Sequence, residues 1–174
     1  VSDLYAQKFN PVAGAHDFTR RADPGRLDLG VEQANAARTA GFAPDVQTEI
    51  DKLMAADLLI LQFPFWWYSV PAILKGWLER AMVPGVGFVF NDAGKVRPGL
   101  TNVRRIVGIS TYGSPRMYVG AINDNGRRTL TRALRMNCGL RTRCRWLGLY
   151  AIDTSTAAER TAFLQRVEKR MRSL

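Results

Sequence analysis

Two short stretches of this 174-residue chain concentrate residue types that could do chemistry. Pro64-Phe65-Trp66-Trp67-Tyr68 sets four aromatic rings in a row behind a proline, and Thr111-Tyr112-Gly113-Ser114-Pro115 combines hydroxyls with a glycine. Rings at that density either fill a core or form a platform for a flat ligand. Pro64 stiffens the chain and has no N–H to give. The residues after it can present backbone N–H donors and flat faces together. Trp77, thirteen residues past Pro64 on a helical apolar stripe, reads as packing alone. The two cysteines, Cys138 and Cys144, match neither CxxC nor a common zinc spacing, and the single histidine, His16, does not complete a metal set. The cysteines read as reduced thiols, with a disulfide the less favoured reading, and His16 reads as a surface residue.

The elements that must position these stretches follow from the apolar pattern. Asp57 to Phe63, Arg104 to Ser110 and Arg145 to Ile152 carry apolar residues at consecutive rather than alternating positions. Such runs suit parallel strands covered on both faces. Helical spacing lies between them. Val46, Ile50, Leu53 and Met54 share one face, with Asp45 as the expected N-cap. Val70, Ile73, Leu74, Trp77, Leu78 and Ala81 share another, with Ser69 as the expected cap and Pro71 in the first turn. Gly126 to Met136 predicts a third helix with Leu130, Ala133 and Leu134 inward. Ala157 to Leu174 predicts a fourth, opened by a Thr156/Glu159 capping box and burying Phe163, Val167, Met171 and Leu174. Alternating helices and strands build an α/β layered domain, and open parallel sheets bind ligands at the carboxyl ends of their strands. Both chemical stretches fall at such ends.

Bulk properties bound the answer. The length suits one domain, and 47% apolar content argues against disorder. No run approaches the roughly 18 apolar residues of a membrane span. The opening residues Val1-Ser2-Asp3-Leu4-Tyr5 have neither the basic nor the apolar region of a signal peptide, so the expected location is cytoplasmic. Charge is uneven: residues 1–87 hold 8 Lys/Arg and 10 Asp/Glu, residues 88–174 hold 17 and 5. The basic half should attract an anion.

A flavin ring needs what the aromatic loop offers, namely stacking on its faces and N–H donors at its polar edge. The segment LQFPFWWYSVPAILKGWLERAMVPGVGFVF closely resembles the NAD(P)H:quinone oxidoreductases of the flavodoxin-like fold. SDLYAQKFNPV at Ser2 to Val12 resembles that family's segment ending the second strand, and GISTYGSPRMY at Gly108 to Tyr118 its second flavin loop. The resemblance implies a doubly wound parallel sheet, a flavin (FAD or FMN), NAD(P)H as cosubstrate, a quinone-like acceptor reduced by a ping-pong route, and a homodimer. It implies that Pro64, Phe65, Trp66, Trp67 and Tyr68 lie along the flavin ring. Thr111, Tyr112 and Gly113 would contact the ring's other polar edge, and Tyr118 would be the catalytic tyrosine managing proton and charge.

Two departures from the family qualify these expectations. The chain starts near the end of the family's second strand, so the N-terminal strand, phosphate loop and first helix are expected to be missing from it. The family's histidine a few residues past the tyrosine is replaced by Asn123-Asp124-Asn125-Gly126. Asp124 could relay a proton, but a helix N-cap is the favoured reading. Tyr118 would then act alone or with water. Arg127, Arg128, Arg132, Arg135, Arg141, Arg143 and Arg145 put seven arginines in 19 residues. A solvated basic face is the plainest reading, recognition of a cosubstrate's 2′-phosphate the next, and a nucleic-acid surface the least favoured. The alternatives to a flavoenzyme are a non-catalytic flavodoxin-like interaction module and a basic nucleic-acid binder.

Overall fold

A computed structural model describes all residues, Val1–Leu174. Three strands run parallel in the order β1-β4-β5: β1 Leu58–Pro64, β4 Arg105–Thr111 and β5 Arg143–Leu149. They end within one or two residues of the expected bounds, except that β5 begins two residues early and stops at Leu149. The middle strand is the most apolar, and Ile106 to Ser110 are all buried. Gly108 stands at its centre because Trp146 of β5 lies across it. A Cβ there would come within 2.1 Å of the indole.

The helices are α1 Leu29–Thr39, α2 Pro44–Ala55, α3 Ala72–Ala81, α4 Arg116–Ala121, α5 and α6 Ala157–Met171. α5 spans 125–138, with α-helical ends Asn125–Arg128 and Arg135–Cys138 and a π-helical middle, Thr129–Leu134. A short antiparallel hairpin joins β2 Phe88–Phe90 to β3 Val96–Pro98. One sheet face meets a 21-residue core that includes Val46 and Leu53 of α2, Leu74 and Trp77 of α3, and Leu130 and Leu134 of α5. The other face, at Val107, Ile109 and Leu147, is covered by Phe163 of α6 with Val167 and Met171 beside it. That single helix leaves Ile60 of β1 45% exposed, and no strand pairs with the outer side of β1.

Several local expectations change. α2 starts at Pro44, since proline suits the first helical position and the missing N–H costs nothing there. Asp45 therefore sits inside the first turn, where its carboxylate accepts from Arg80 Nη2 at 2.8 Å. Ser69 does not cap α3: the helix begins after Pro71, which is extended and has no side-chain cap bond. Ala133 points outward rather than inward, and Leu174 lies beyond the end of α6, 38% exposed. The Thr156/Glu159 capping box is formed, with Glu159 N–H donating to Thr156 Oγ1 at 3.2 Å and Thr156 N–H donating to Glu159 Oε2 at 2.7 Å. Residues 2–12 contain no strand; they turn across the domain surface and bury Phe9.

That N-terminal segment is tied down by a residue the apolar pattern does not flag. Arg80 is 1% exposed at the inner face of α3. Its guanidinium donates to Asp17 Oδ1 at 2.8 Å, to the Asn10 carbonyl at 2.7 Å and to Asp45, and lies 4.6 Å over the Phe9 ring. Trp77 packs as expected, 5% exposed, and also donates its indole N–H to Glu49 Oε2 at 3.0 Å.

Candidate functional site

The parallel register pairs Pro64 with Thr111, so β1 and β4 finish at the same level. Phe65 N–H donates to the Thr111 carbonyl at 2.8 Å and Tyr112 N–H to the Leu149 carbonyl at 2.8 Å, which carries the ladder one step into both loops. The aromatic stretch then reverses in two residues. Trp66 N–H donates to the Ser69 carbonyl at 3.2 Å and Ser69 N–H to the Trp66 carbonyl at 3.0 Å, with Trp67 and Tyr68 at the tip. Both tip residues have positive φ, +47° and +61°. A turn with φ > 0 at both central positions is one that Asn and Gly normally occupy. Each bulky side chain held there costs on the order of 1–2 kcal/mol. Backbone strain of this kind marks places where the side chain is wanted for something other than stability.

The turn lifts its rings into solvent. Trp67 is 91% exposed and Trp66 55%. Tyr68 meets Tyr118 of α4: their hydroxyls are 3.3 Å apart and one donates to the other. This hydrogen bond is the main influence raising the Tyr68 phenol above its ordinary range. Phe65 faces the other way, half-buried, with its ring 4.6 Å from that of Tyr112 and pressed against Gly126, where a Cβ would sit 3.0 Å from the Phe65 ring.

Tyr112 occupies a different place from the one the resemblance implies. Its side chain is fully buried and stacks on Tyr150, centroids 4.4 Å apart. Its hydroxyl donates to Asp124 Oδ1 at 3.0 Å, its N–H is taken by Leu149, and its carbonyl accepts from Ile152 N–H at 2.9 Å. Every polar group of Tyr112 is thus committed within the protein, and its ring packs between Phe65 and Tyr150. Burial, reinforced by the Asp124 carboxylate, pushes its ionisation far above the ordinary phenol range. Asp124 stands at the start of α5 in a left-handed conformation but makes no cap bond; its carboxylate serves Tyr112 instead. Thr111 is half-buried and Gly113 exposed beside Asp153, whose Oδ2 would lie 2.9 Å from a Cβ at position 113.

The structure thus brings Phe65, Trp66, Trp67, Tyr68, Thr111, Gly113 and Tyr118 to one sheet end. It adds one residue that sequence reasoning missed, Tyr150, and one contact between two residues already named, the hydrogen bond between Tyr68 and Tyr118. Tyr150 offered no signal, since by sequence it falls inside the apolar run Arg145 to Ile152 and only the structure ends β5 at Leu149. The seven-arginine run is split up: Arg135 turns inward to the Thr142 carbonyl at 2.9 Å, while Arg128, Arg132 and Arg141 stay exposed. His16 is 47% exposed beside Asp17. The cysteines are free, and burial raises Cys138 to about 11. No helix is long and apolar enough to cross a membrane, and no group of His, Cys, Asp and Glu side chains is arranged to hold a metal.

A family profile described as the flavodoxin-like fold matches residues 1–174. NAD(P)H dehydrogenase [quinone] 1 of Cavia porcellus is 41% identical over 119 residues, 68% of this chain and 43% of that protein. Ribosyldihydronicotinamide dehydrogenase [quinone] of Mus musculus is 31% identical over 182 residues, 100% of this chain and 77% of that protein. The chain spans about half the length of most curated relatives it matches. Among solved structures, Smu.1420 of Streptococcus mutans superposes with a TM-score of 0.77 at 22% identity, covering 98% of this chain and 80% of that one. The NAD(P)H:quinone oxidoreductase of Methanothermobacter marburgensis superposes at 0.67 and 18% identity, covering 97% and 78%. These two likenesses bear on the fold. Parallel sheet, aromatic turn and sequence likeness converge: the chain belongs to the flavodoxin-like fold family and, within it, to the NAD(P)H:quinone oxidoreductase family.

Proposed function

We propose that this chain carries the flavin platform and acceptor-facing wall of an NAD(P)H-dependent oxidoreductase that reduces quinones or similarly flat acceptors by two electrons. The observation that carries the reading is the strained turn that holds Trp67 and Tyr68 out of the core, next to Tyr118, at the carboxyl end of β1. The residues fit a flavin ring: flat exposed faces at Trp66 and Trp67, and a loop at Thr111 and Gly113 with a glycine where a ligand can approach the backbone. Bound there, FMN or FAD would supply the ability to accept a hydride and pass on two electrons.

The chain's own residues would then do three things. Trp66 and Trp67 would hold the ring flat and keep water from its faces, which strengthens every electrostatic interaction there. Phe65, Tyr112 and Tyr150 would stiffen the platform from below, since their stack leaves no room to sink. Tyr118, sharing a proton with Tyr68, would hold that proton at the phenolic oxygens within reach of an acceptor's carbonyl oxygen. Nicotinamide and acceptor would use the same wall in turn, hence a ping-pong exchange. Assembly as a homodimer, and residence in a reducing compartment where Cys138 and Cys144 stay free, complete the proposal. The test is direct: titrate the purified chain with FMN and FAD by absorbance and fluorescence quenching, then measure NADH- and NADPH-dependent reduction of menadione. Saturable flavin binding that Trp67→Ala weakens supports the reading. A chain that binds neither flavin and has no turnover overturns it.

A further inference from the structure

We propose that the concave surface along the outer edge of β5 binds a small molecule carrying two or more phosphoryl groups. The proposal stands independently of the flavin reading. The cavity measures about 830 Å³, within the size range of ligand pockets. Arg143 and Arg145 of β5, Arg105 of β4, Arg116 of α4 and Arg127 of α5 line it, and Arg166 and Arg170 close it from α6. No acidic side chain is among the lining residues. None of the seven arginines has a carboxylate within 4.0 Å; the arginines that do are Arg21, Arg80 and Arg172, elsewhere on the molecule. Seven arginines from five elements therefore line one concavity with no carboxylate paired to any of them; of their side chains only Arg166 is engaged within the protein, donating to the Gly148 carbonyl at 3.1 Å and lying 5.2 Å over the Phe163 ring.

Charge on an edge strand has a plainer use, which is to prevent edge-to-edge aggregation. That accounts for Arg143 and Arg145. It does not account for Arg116, Arg127 and Arg170, which come from three helices and line the same space, whereas Arg166 also ties α6 to the Gly148 carbonyl. The floor is apolar, with Ile106, Val107 and Leu147 buried, and a floor of low dielectric strengthens charge interactions above it. Guanidinium groups match phosphoryl oxygens bidentately. One phosphate can engage only a few of seven arginines that line the concavity, so a diphosphate or longer fits it better. The aromatics in the wall, Trp146 and Tyr150, are partly buried in side-chain stacks. They offer no row of open faces for the bases of a single strand.

Isothermal titration of the whole chain with inorganic pyrophosphate and tripolyphosphate tests this, with ADP, NADH, NADPH and a single-stranded oligonucleotide as parallel arms. Saturable one-to-one pyrophosphate binding that weakens as salt rises is the expected result. Arg145→Glu and Arg170→Glu should each weaken it by about ten-fold, while Arg26→Glu, an equal charge change on the exposed N-terminal segment, should not. The Arg170 side chain makes no hydrogen bond, so its reversal tests the cavity even if Arg145→Glu impairs folding by circular dichroism. Tighter binding of NADPH or ADP than of pyrophosphate would assign the site to a nucleotide's phosphates; the reverse order would assign it to free polyphosphate. The proposal is overturned by absence of saturable pyrophosphate binding, by equal losses in Arg26→Glu, or by affinity shown only for the oligonucleotide and growing with its length.

Discussion

Replacing Trp67 with asparagine should make the protein more stable and its flavin binding weaker. Trp67 is 91% exposed, so removing the indole forfeits almost no buried surface. Its φ of +47° is a conformation that asparagine adopts readily and tryptophan does not. Relief of that conformation is worth about 1 kcal/mol, toward the low end of the usual left-handed penalty because asparagine still pays part of it. For a chain of this size that is a rise in Tm of roughly 2–4 °C. Trp67→Ala is the control. Alanine has the same Cβ as asparagine but no side-chain amide to hydrogen-bond locally in the left-handed region, so its stability should stay within about 0.5 kcal/mol of the parent. Both variants remove one stacking face, worth about 1 kcal/mol in comparable aromatic contacts, so flavin Kd should rise by about five-fold in each. Urea denaturation followed by circular dichroism, with flavin fluorescence titration on the same preparations, checks both halves. If Asn and Ala give the same denaturation midpoint, backbone strain is not what distinguishes this turn. If both lower stability by more than about 1 kcal/mol, the indole is packed and the platform argument fails.

Other consequences follow from the buried polar groups. Arg80→Met should cost about 3–5 kcal/mol in urea denaturation, because Asp17, 2% exposed, is left charged without its partner; adding Asp17→Asn should recover part of that loss. Tyr112→Phe should cost about 1–3 kcal/mol by the same assay, since buried Asp124 loses its donor. Burial first, then the Asp124 carboxylate, raise the Tyr112 ionisation, and Tyr150 is raised mainly by burial as well. Both phenols therefore keep their protons in the fold at pH values where the unfolded chain's phenols ionise. Their contribution is complete below about pH 10 and declines as pH rises above it, so denaturation midpoints should fall there, less steeply in Tyr112→Phe. Cys138, buried and raised to about 11, should resist a thiol-labelling reagent at about pH 8 until urea unfolds the chain.

Some of the fold could be read from local order because local order is what builds it. β1 and β4 are short apolar runs opened by charged residues, Asp57 and Arg104, and α3 and α6 carry stripes strong enough to show in one dimension. Other elements were invisible for specific reasons. α1 buries a glutamate, Glu32, and leaves Val31 56% exposed, which inverts the usual pattern. Strands β2 and β3 have three residues each, too few for any period to register. Ser69 has the chemistry of a cap, yet its backbone is already spent closing the Trp66–Ser69 turn.

Residue types and their spacing, by themselves, determined the parallel α/β plan, the strand end proposed to hold the ligand, and the aromatic loop that stands there, because periodicity and chain direction suffice for those. Tertiary structure alone decided how the loop's residues divide their work. It sends Tyr112 under the platform and lifts Trp67 above it, since the direction of a side chain in a turn depends on φ values that composition does not encode. It likewise set Tyr68 against Tyr118 across fifty residues. It scattered the arginine run while gathering Arg105, Arg116, Arg166 and Arg170 to Arg127, Arg143 and Arg145, because a cavity is made by elements that meet in space and not by neighbours along the chain.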